Sequence, residues 1–197
     1  MATTLLYQGH SSCRITASDG RVIYLDPFAG EGYDKPADLI LVTHQHMDHK
    51  KTKLVTQNPG CVVITNVEAL ADDTYNSFDV GGIIVEAVEA SNSHHDPKKC
   101  VGYILTVDGI KVYFAGDTSR TKMMESFYER RLDYALLPID GFFNMDVKEA
   151  ILCAQIIGAR VNIPIHMKPG ALFDQKRADT FDAPGRRIVH PGEEIKL

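Results

Sequence analysis

Three histidines and one aspartate lie within six residues of this chain, in the segment Thr43 to His49 (THQHMDH). The four side chains are His44, His46, Asp48 and His49. Imidazole and carboxylate groups are the ligands that zinc, iron and manganese accept in proteins. A solvated loop would not need this grouping, so we interpret the segment as a candidate metal site.

The segment directly follows residues 39–42, an apolar run that predicts a buried strand. Three more loops place metal-ligand residue types behind apolar runs in the same way. His94 and His95 follow residues 83–90, Asp117 follows residues 110–114, and His166 ends the run 162–165. Because each loop comes after a predicted strand, we expect one edge of the structure to gather all four.

The rest of the chain predicts alternating strands and helices. Strands are expected over residues 5–7, 13–16, 21–25, 39–42, 61–65, 83–90, 101–107, 110–114, 134–139, 162–166 and 187–189. Asp108-Gly109 between two apolar runs indicates a hairpin. Helices are expected over residues 50–57, 67–73, 123–131, 147–157 and 175–181. The order of strand, helix and strand over residues 39–65 favours a parallel crossover.

Length and composition are those of a globular protein. With 197 residues, 44% hydrophobic and 24% charged, the chain predicts a single domain over residues 1–197. No apolar run approaches the roughly 20 residues of a membrane helix, and the N-terminus lacks a secretory pattern. The four cysteines are isolated from one another, which is typical of reduced thiols. We therefore expect a cytoplasmic protein with no membrane partner.

The charge of the chain bears on its partners. A net charge of −5 with no basic stripe disfavours nucleic acid. It is compatible with a small-molecule substrate, including an anionic one that a locally positive metal site would attract. A homo-oligomer is also compatible with the sequence.

These motifs carry a resemblance to a known family. Thr-His-x-His-x-Asp-His, the later histidine loop, Gly116-Asp117-Thr118 and Ile163-Pro164-Ile165-His166 resemble the metallo-β-lactamase superfamily in order and rough spacing. Within it, the chain is similar to small single-domain members related to the ascorbate-6-phosphate lactonases and to metal-dependent hydrolases. Gly9-His10-Ser11 and Leu25-Asp26-Pro27-Phe28 fit that branch. The resemblance implies an α/β (α+β) fold in four layers, an αββα sandwich.

The resemblance also implies two divalent metal ions, expected to be zinc, with manganese, iron or nickel as alternatives. Transferred by motif, one ion is held by His44, His46 and one of the neighbours His94 and His95. The interval to Gly102 favours His95 as the ligand and leaves His94 to contact substrate or solvent.

The second ion, again by motif, is held by Asp48, His49 and His166, and Asp117 bridges the two. A pair of cations about 3.5–4 Å apart can share a water, lower its pKa and hold the resulting hydroxide as a nucleophile. Asp48 is the candidate to orient that water or accept its proton. The implied activity is hydrolysis of an ester, lactone or phosphodiester bond in a small molecule.

Three further residues are candidates near the site. Asp26 is expected to orient a ligating histidine, since such histidines usually donate their other ring N–H to a carboxylate or a carbonyl. His10 is either a substrate contact or proton donor, or a hydrogen-bonded structural histidine. Asp140 follows the predicted strand 134–139 and either serves the site or forms the turn before Gly141.

Other functions compete with hydrolysis. A mononuclear iron dioxygenase of this fold shares the histidine signature and differs in metal content and use of oxygen. Flavin-coupled di-iron redox proteins of the fold carry Glu at the position of His46. A nuclease would need a basic face or an RNA-binding arm, and neither is evident. A metal-binding module without catalysis is the remaining alternative.

Overall fold

The structure, a computed structural model, describes residues 1–197 and contains two six-stranded mixed sheets. The first sheet has the order β12-β1-β2-β3-β4-β5. Its strands are β1 Thr4–Gly9, β2 Ser12–Thr16, β3 Val22–Leu25, β4 Ala37–Val42, β5 Gln57–Thr65 and β12 Glu194–Lys196. β4 pairs in parallel with both β3 and β5, and the other pairs are antiparallel.

The second sheet has the order β11-β10-β9-β8-β7-β6. Its strands are β6 Ser77–Val80, β7 Ile83–Glu89, β8 Val101–Val107, β9 Ile110–Phe114, β10 Tyr134–Pro138 and β11 Val161–Ile165. β9, β10 and β11 are parallel, and the remaining pairs are antiparallel. The predicted β8–β9 hairpin is confirmed, as is the parallel β4–β5 pair.

Alternation along the strands explains the layers, because successive side chains of a strand point to opposite faces. Leu39 and Leu41 of β4 belong to the core between the sheets, together with Tyr103 and Leu105 of β8. The intervening Ile40 faces outward to a small cluster that includes Tyr24 and Val55.

Three α-helices accompany the sheets: α1 Asn66–Ala69, α2 Val147–Ile157 and α3 Gln175–Thr180. α2 has the predicted bounds. Its N-terminus is capped by the Asp146 carboxylate, which accepts from the Glu149 amide, and it ends at Gly158 in the left-handed conformation. Its apolar stripe, including Cys153 and Ile157, packs on the outer face of the second sheet. The first sheet is covered outside mainly by loops and short helical turns.

The sandwich fold is therefore confirmed, with local differences. Residues 50–57 and 123–131, for which the sequence predicts helices, form only short 3₁₀ turns, Thr52–Leu54 in one case and Lys122–Ser126 and Tyr128–Arg130 in the other. The strand predicted over 187–189 is wrong: Val189 is buried in the core without strand pairing, and the last strand is β12. The sequence pattern predicts neither β6 nor β12. None of the helices has the length and apolar character needed to span a lipid bilayer.

Strand direction explains where functional side chains can meet. β1, β3 and β4 run in one direction within the first sheet, and β7, β9, β10 and β11 share a direction within the second. The segments that follow these strands contain the candidate site residues. Each sheet thus delivers its candidate residues to one edge.

The loop after β3 packs closely on β1 at Gly30. An added Cβ at Gly30 (φ +85°) would lie 1.8 Å from the Gln8 carbonyl oxygen, whereas one at Gly20 (φ +94°) meets nothing within 4 Å. We expect Gly20→Ala to lower the free energy of unfolding by about 1 kcal/mol through backbone strain alone. Gly30→Ala should cost roughly 1–3 kcal/mol more, since the backbone must move. Urea unfolding of both variants measures the difference, and equal losses would contradict the close packing.

Candidate metal centre

The candidate residues come together at one end of the sandwich, in the loops that follow seven strands. His10 follows β1, Asp26 follows β3, and the segment from His44 to His49 follows β4. In the second sheet, His95 follows β7 and Asp117 follows β9. Asp140 and His166 follow β10 and β11. All of these side chains are buried except Asp48, which is 40% exposed, and His46, which is exposed.

Three groups of candidate ligand atoms form, and within each group all ligand atoms lie within 4.8 Å of one another. Two of the groups share no residue, and the third, His44, His49 and Asp117, overlaps both. The first group comprises His44, His46 and His95. The second comprises His10, Asp48, His49 and His166. The division matches the two ion sites that the family resemblance implies, except that His10 joins the second group.

Asp117 lies between the two groups. Its Oδ2 is 3.3 Å from His95 Nε2 and 3.5 Å from His166 Nε2, and its Oδ1 is 3.5 Å from His49 Nε2. The carboxylate therefore contacts one histidine of the first group and two of the second. This is the position that a bridging ligand requires.

Three of the histidines are held in the same tautomer by hydrogen-bond acceptors behind them, and His166 has an acceptor at contact distance without hydrogen-bond geometry. His49 Nδ1 donates to Asp26 Oδ2 at 2.7 Å, and His95 Nδ1 donates to Asn92 Oδ1 at 2.9 Å. His166 Nδ1 lies 3.0 Å from Asp140 Oδ2. A carboxylate or amide oxygen only accepts, so the proton is on Nδ1 and each Nε2 is directed to the centre.

His44 is oriented in the same way through Thr43. The Thr43 hydroxyl donates to Asp26 Oδ2 at 2.7 Å, so it accepts from His44 Nδ1 at 3.0 Å. Thr43 also donates its backbone N–H to Asp26 Oδ1 at 2.7 Å. Asp26 thus contacts two histidines, one directly and one through a hydroxyl.

Unpartnered polar atoms show that the site fits divalent cations. His49 Nε2, His95 Nε2, His166 Nε2 and Asp117 Oδ1 are buried and have no hydrogen-bond partner. Burying such atoms without a partner is costly, and a cation between them removes that cost. Tetrahedral zinc with Zn–N bonds of about 2.0–2.1 Å places its ligand atoms roughly 3.3 Å apart. The observed spacings include 3.0 Å for His44 Nε2 to His46 Nδ1, 3.5 Å for two of the Asp117 contacts and 4.0 Å for His49 Nε2 to Asp48 Oδ1.

Burial and charge set the protonation of these groups. Burial lowers the pKa of His44 to about 2 and also lowers the pKa of His95, so both rings are neutral, the form that binds metals. Burial opposes charge on Asp117, yet His49 and His166 hold the pKa of that carboxyl well below its usual range. Burial likewise disfavours the charged form of His49, but Asp117 and Asp26 raise its pKa well above the usual value. The carboxylates that attract protons here attract metal cations for the same reason.

The sequence leaves open whether His94 or His95 is the metal ligand, and the structure shows that the two side chains differ in exposure and in contacts. His95 is 2% exposed and lies in the first ligand group. His94 is exposed and stacks against Phe142 and Phe143 instead. Asn92 contacts both residues, but in different ways: its Oδ1 accepts from the backbone amide of His94 and from the ring of His95.

His10 is buried and contacts a candidate ligand. Its Nδ1 is 3.2 Å from the Ala171 carbonyl oxygen, so Nδ1 carries the proton. Its Nε2 lies 3.3 Å from Asp48 Oδ2. Because His10 Nε2 and Asp48 Oδ2 both carry lone pairs, either a second proton on the ring or a cation must lie between them. His10 thus lies beside the candidate ligands and is also hydrogen-bonded to the backbone.

Backbone strain concentrates at the same residues. His10 (φ 57°), Asp26 (φ 43°) and His166 (φ 42°) all adopt the left-handed region, which is uncommon outside glycine. Such conformations persist where the surroundings enforce them, and they cluster at functional sites. Two short backbone hydrogen bonds, both 2.7 Å, secure them: the His10 amide to the Leu172 carbonyl, and the His166 amide to the His10 carbonyl.

Sequence reasoning assigned no role to four residues that contact the candidate ligands or lie beside them. Thr43 and Asn92 stand beside predicted ligands, and their signal is only that a hydroxyl or amide adjoins a ligating histidine. The adjacent aromatics Phe142 and Phe143 follow Asp140-Gly141, and their signal is an apolar pair in a loop at a strand end.

Comparison with known proteins agrees with this geometry. The family model of the β-lactamase superfamily domain matches residues 4–166. The chain belongs to the β-lactamase superfamily. It is 33% identical to a UPF0173 metal-dependent hydrolase of Thermococcus onnurineus, over 97% of this chain and 98% of that protein. It is 31% identical to a UPF0173 metal-dependent hydrolase of Nitratidesulfovibrio vulgaris, over 100% of this chain and 96% of the relative.

A solved structure shows the same fold. Igni18, a metallo hydrolase of Ignicoccus hospitalis, superimposes with a TM-score of 0.78 over 100% of this chain and 99% of its own, at 24% identity. The relatives in this superfamily are named metal-dependent hydrolases, and this chain is a metal-dependent hydrolase as well. Its His/Asp cluster could hold a metal ion.

The His94/His95 pair offers a matched test of the first ligand group. We expect His95→Ala to reduce bound metal from about two ions per chain to about one, since a three-histidine group loses one of its ligands. His94→Ala should retain about two. Elemental analysis of protein purified without chelator measures both variants. Loss of metal in His94→Ala alone would contradict the assignment.

Asp26 can be tested without touching a candidate ligand. Asp26→Asn has one acceptor oxygen and cannot accept all three hydrogen bonds from Thr43 and His49, so zinc affinity should fall roughly 10- to 100-fold in chelator competition. Asp38→Asn is the control, because Asp38 also accepts from a backbone amide, that of Val22 at 2.8 Å, but at the opposite end of β4. An equal loss of affinity in both variants would argue for general destabilisation instead.

Proposed function

We propose that this chain is a binuclear metal-dependent hydrolase that cleaves an ester, lactone or phosphodiester bond of a small molecule. The observation that carries the proposal is Asp117, whose carboxylate contacts His95 of one ligand group and His49 and His166 of the other. A carboxylate so placed could serve two cations. His44, His46 and His95 would hold one ion, and Asp48, His49 and His166 the other.

When bound, two divalent cations supply a water of lowered pKa and polarise the oxygen of the bond under attack. Asp48 is the group best placed to take the proton of that water. Partial burial opposes charge on Asp48, yet the His10 ring and His49 hold the pKa of its carboxyl below the usual range. The carboxylate is therefore ionised, and Oδ2 is already fixed by His10 at 3.3 Å.

The two nearest alternatives are less well supported. A mononuclear iron dioxygenase needs one ligand group, whereas this chain gathers two around a shared carboxylate. A nuclease would need a basic face for phosphates, and the cleft beside His44 and His46 carries Lys99 balanced in charge by Asp96.

Zinc is the expected metal, since imidazole and carboxylate ligands suit it. Two cations in the centre would favour an anionic or oxyanion-forming substrate. All four cysteines are free in the structure, which supports a reducing compartment such as the cytoplasm. Both ligand groups are complete within one chain, so a homo-oligomer would leave the site intact.

Asp48 provides the test of hydrolysis. We expect the metal-loaded protein to turn over at least one member of a panel of lactones, phosphodiesters and thioesters. Asp48→Ala should lower kcat roughly 10²- to 10⁴-fold, because it removes both the proton acceptor and a candidate ligand. Asp19→Asn, a surface hairpin substitution, should leave kcat unchanged. Full activity in Asp48→Ala would refute the proposal.

A further inference from the structure

An exposed aromatic surface stands beside the candidate metal centre. Phe142 is 66% exposed and Phe143 is 38% exposed, and neither belongs to a core cluster. Their rings meet edge to face with centroids 4.7 Å apart, and the His94 ring packs on both at 6.3 and 5.6 Å. We call His94, Phe142 and Phe143 the aromatic wall.

The aromatic wall and the candidate ligands border the same space. A cleft of about 230 Å³ is lined by His46, Asp48, His94, His95, Asp117 and Phe143. A molecule whose reacting group lies at the ligand atoms therefore places its adjoining group against Phe143 and its neighbours. His94 and Phe143 of the wall line the cleft, and Phe142 packs behind them against both rings.

The wall is held rigidly, and by the residues that orient ligands. Asp140 Oδ1 accepts from three successive amides, those of Phe142 and Phe143 at 2.7 Å and Asn144 at 3.3 Å. Its other oxygen lies against His166. Asn92 Nδ2 donates to the Phe143 carbonyl at 2.8 Å, while Asn92 Oδ1 accepts from His95. The wall is thus preorganised relative to both ligand groups, which reduces the entropic cost of binding.

The other side of the centre is polar. A second cleft of about 370 Å³ next to His44 and His46 is lined by Gln45, Asn66, Asp96 and Lys99 among others. The two clefts share His46, His94 and His95. The two clefts differ in that Phe143 lines the first, whereas Gln45, Asn66, Asp96 and Lys99 line the second.

We propose that the aromatic wall binds a flat apolar group of the substrate, directly beside the bond that is hydrolysed. The substrate is then an ester, lactone or phosphodiester with an aromatic or similar apolar group on one side and a polar group on the other. This rests on the proposed hydrolytic function. Aromatic pairs prefer edge-to-face or offset contacts, and the perpendicular Phe142 and Phe143 rings present both an edge and a face to such a group.

Two phosphonates that share one metal-binding head test the wall without relying on turnover. Benzylphosphonate and methylphosphonate are titrated into zinc-loaded protein by calorimetry. We expect benzylphosphonate to bind roughly 10- to 100-fold more tightly, the gain typical of burying a phenyl ring. In the double variant Phe142→Ser/Phe143→Ser the ratio should fall to within about threefold, because the apolar surface is gone.

Controls keep the outcomes distinct. Leu152→Ser removes an apolar side chain of similar exposure (43%) on α2 and should keep the wild-type ratio. Phe143→Ser alone should reduce the ratio, because Phe143 is the phenylalanine that lines the cleft, and this variant tests the wall if the double variant melts at a lower temperature. Equal affinities of the wild type for both phosphonates, or a ratio that survives in the variants, would overturn the wall and leave hydrolysis standing. Binding of neither phosphonate would count against the proposed metal hydrolase itself, and the wall with it.

Discussion

The Asp26 carboxylate is the interaction on which the metal centre depends. It is fully buried, in the left-handed conformation, and accepts from the Thr43 amide, the Thr43 hydroxyl and the His49 ring. Burying a charge is unfavourable unless it is fully hydrogen-bonded. All three donors are in place only when the end of β3 lies beside the end of β4. The native sheet and the orientation of the ligand loop are thus established together.

The candidate ligands that follow strands of the second sheet also have acceptors behind them. Asn92 and Asp140 stand behind His95 and His166 as Asp26 and Thr43 stand behind His49 and His44. Each acceptor keeps a proton on Nδ1 and leaves Nε2 for the centre. Asn92 and Asp140 also hold the loop of Phe142 and Phe143, so the geometry of the ligands and the shape of the cleft depend on shared contacts. Strained backbones at His10, Asp26 and His166 lie in the same region, and cations that satisfy the open ligand atoms would link metal binding to the stability of the fold.

Features that depend on local spacing follow from the sequence alone. Apolar runs define most strands, Asp108-Gly109 the hairpin, and apolar residues at helical spacing before Gly158 the helix α2. The motif from Thr43 to His49 and the loops of Asp117 and His166 indicate the residues that the fold gathers. Because each of these loops follows a strand, the order of the chain also predicts that they meet at one end.

Features that depend on distant partners are set by tertiary packing. Neighbouring residues such as His94 and His95 have the same chemistry, and the contacts of Asn92 and Phe143 alone direct one to the ligands and the other to the aromatic wall. β12 carries almost no local signal and forms because the edge of β1 is free to pair with it. Val189 belongs to an apolar run yet forms no strand, since its burial in the core needs no ladder. Local pattern specifies which groups are available, and long-range packing specifies which of them face one another.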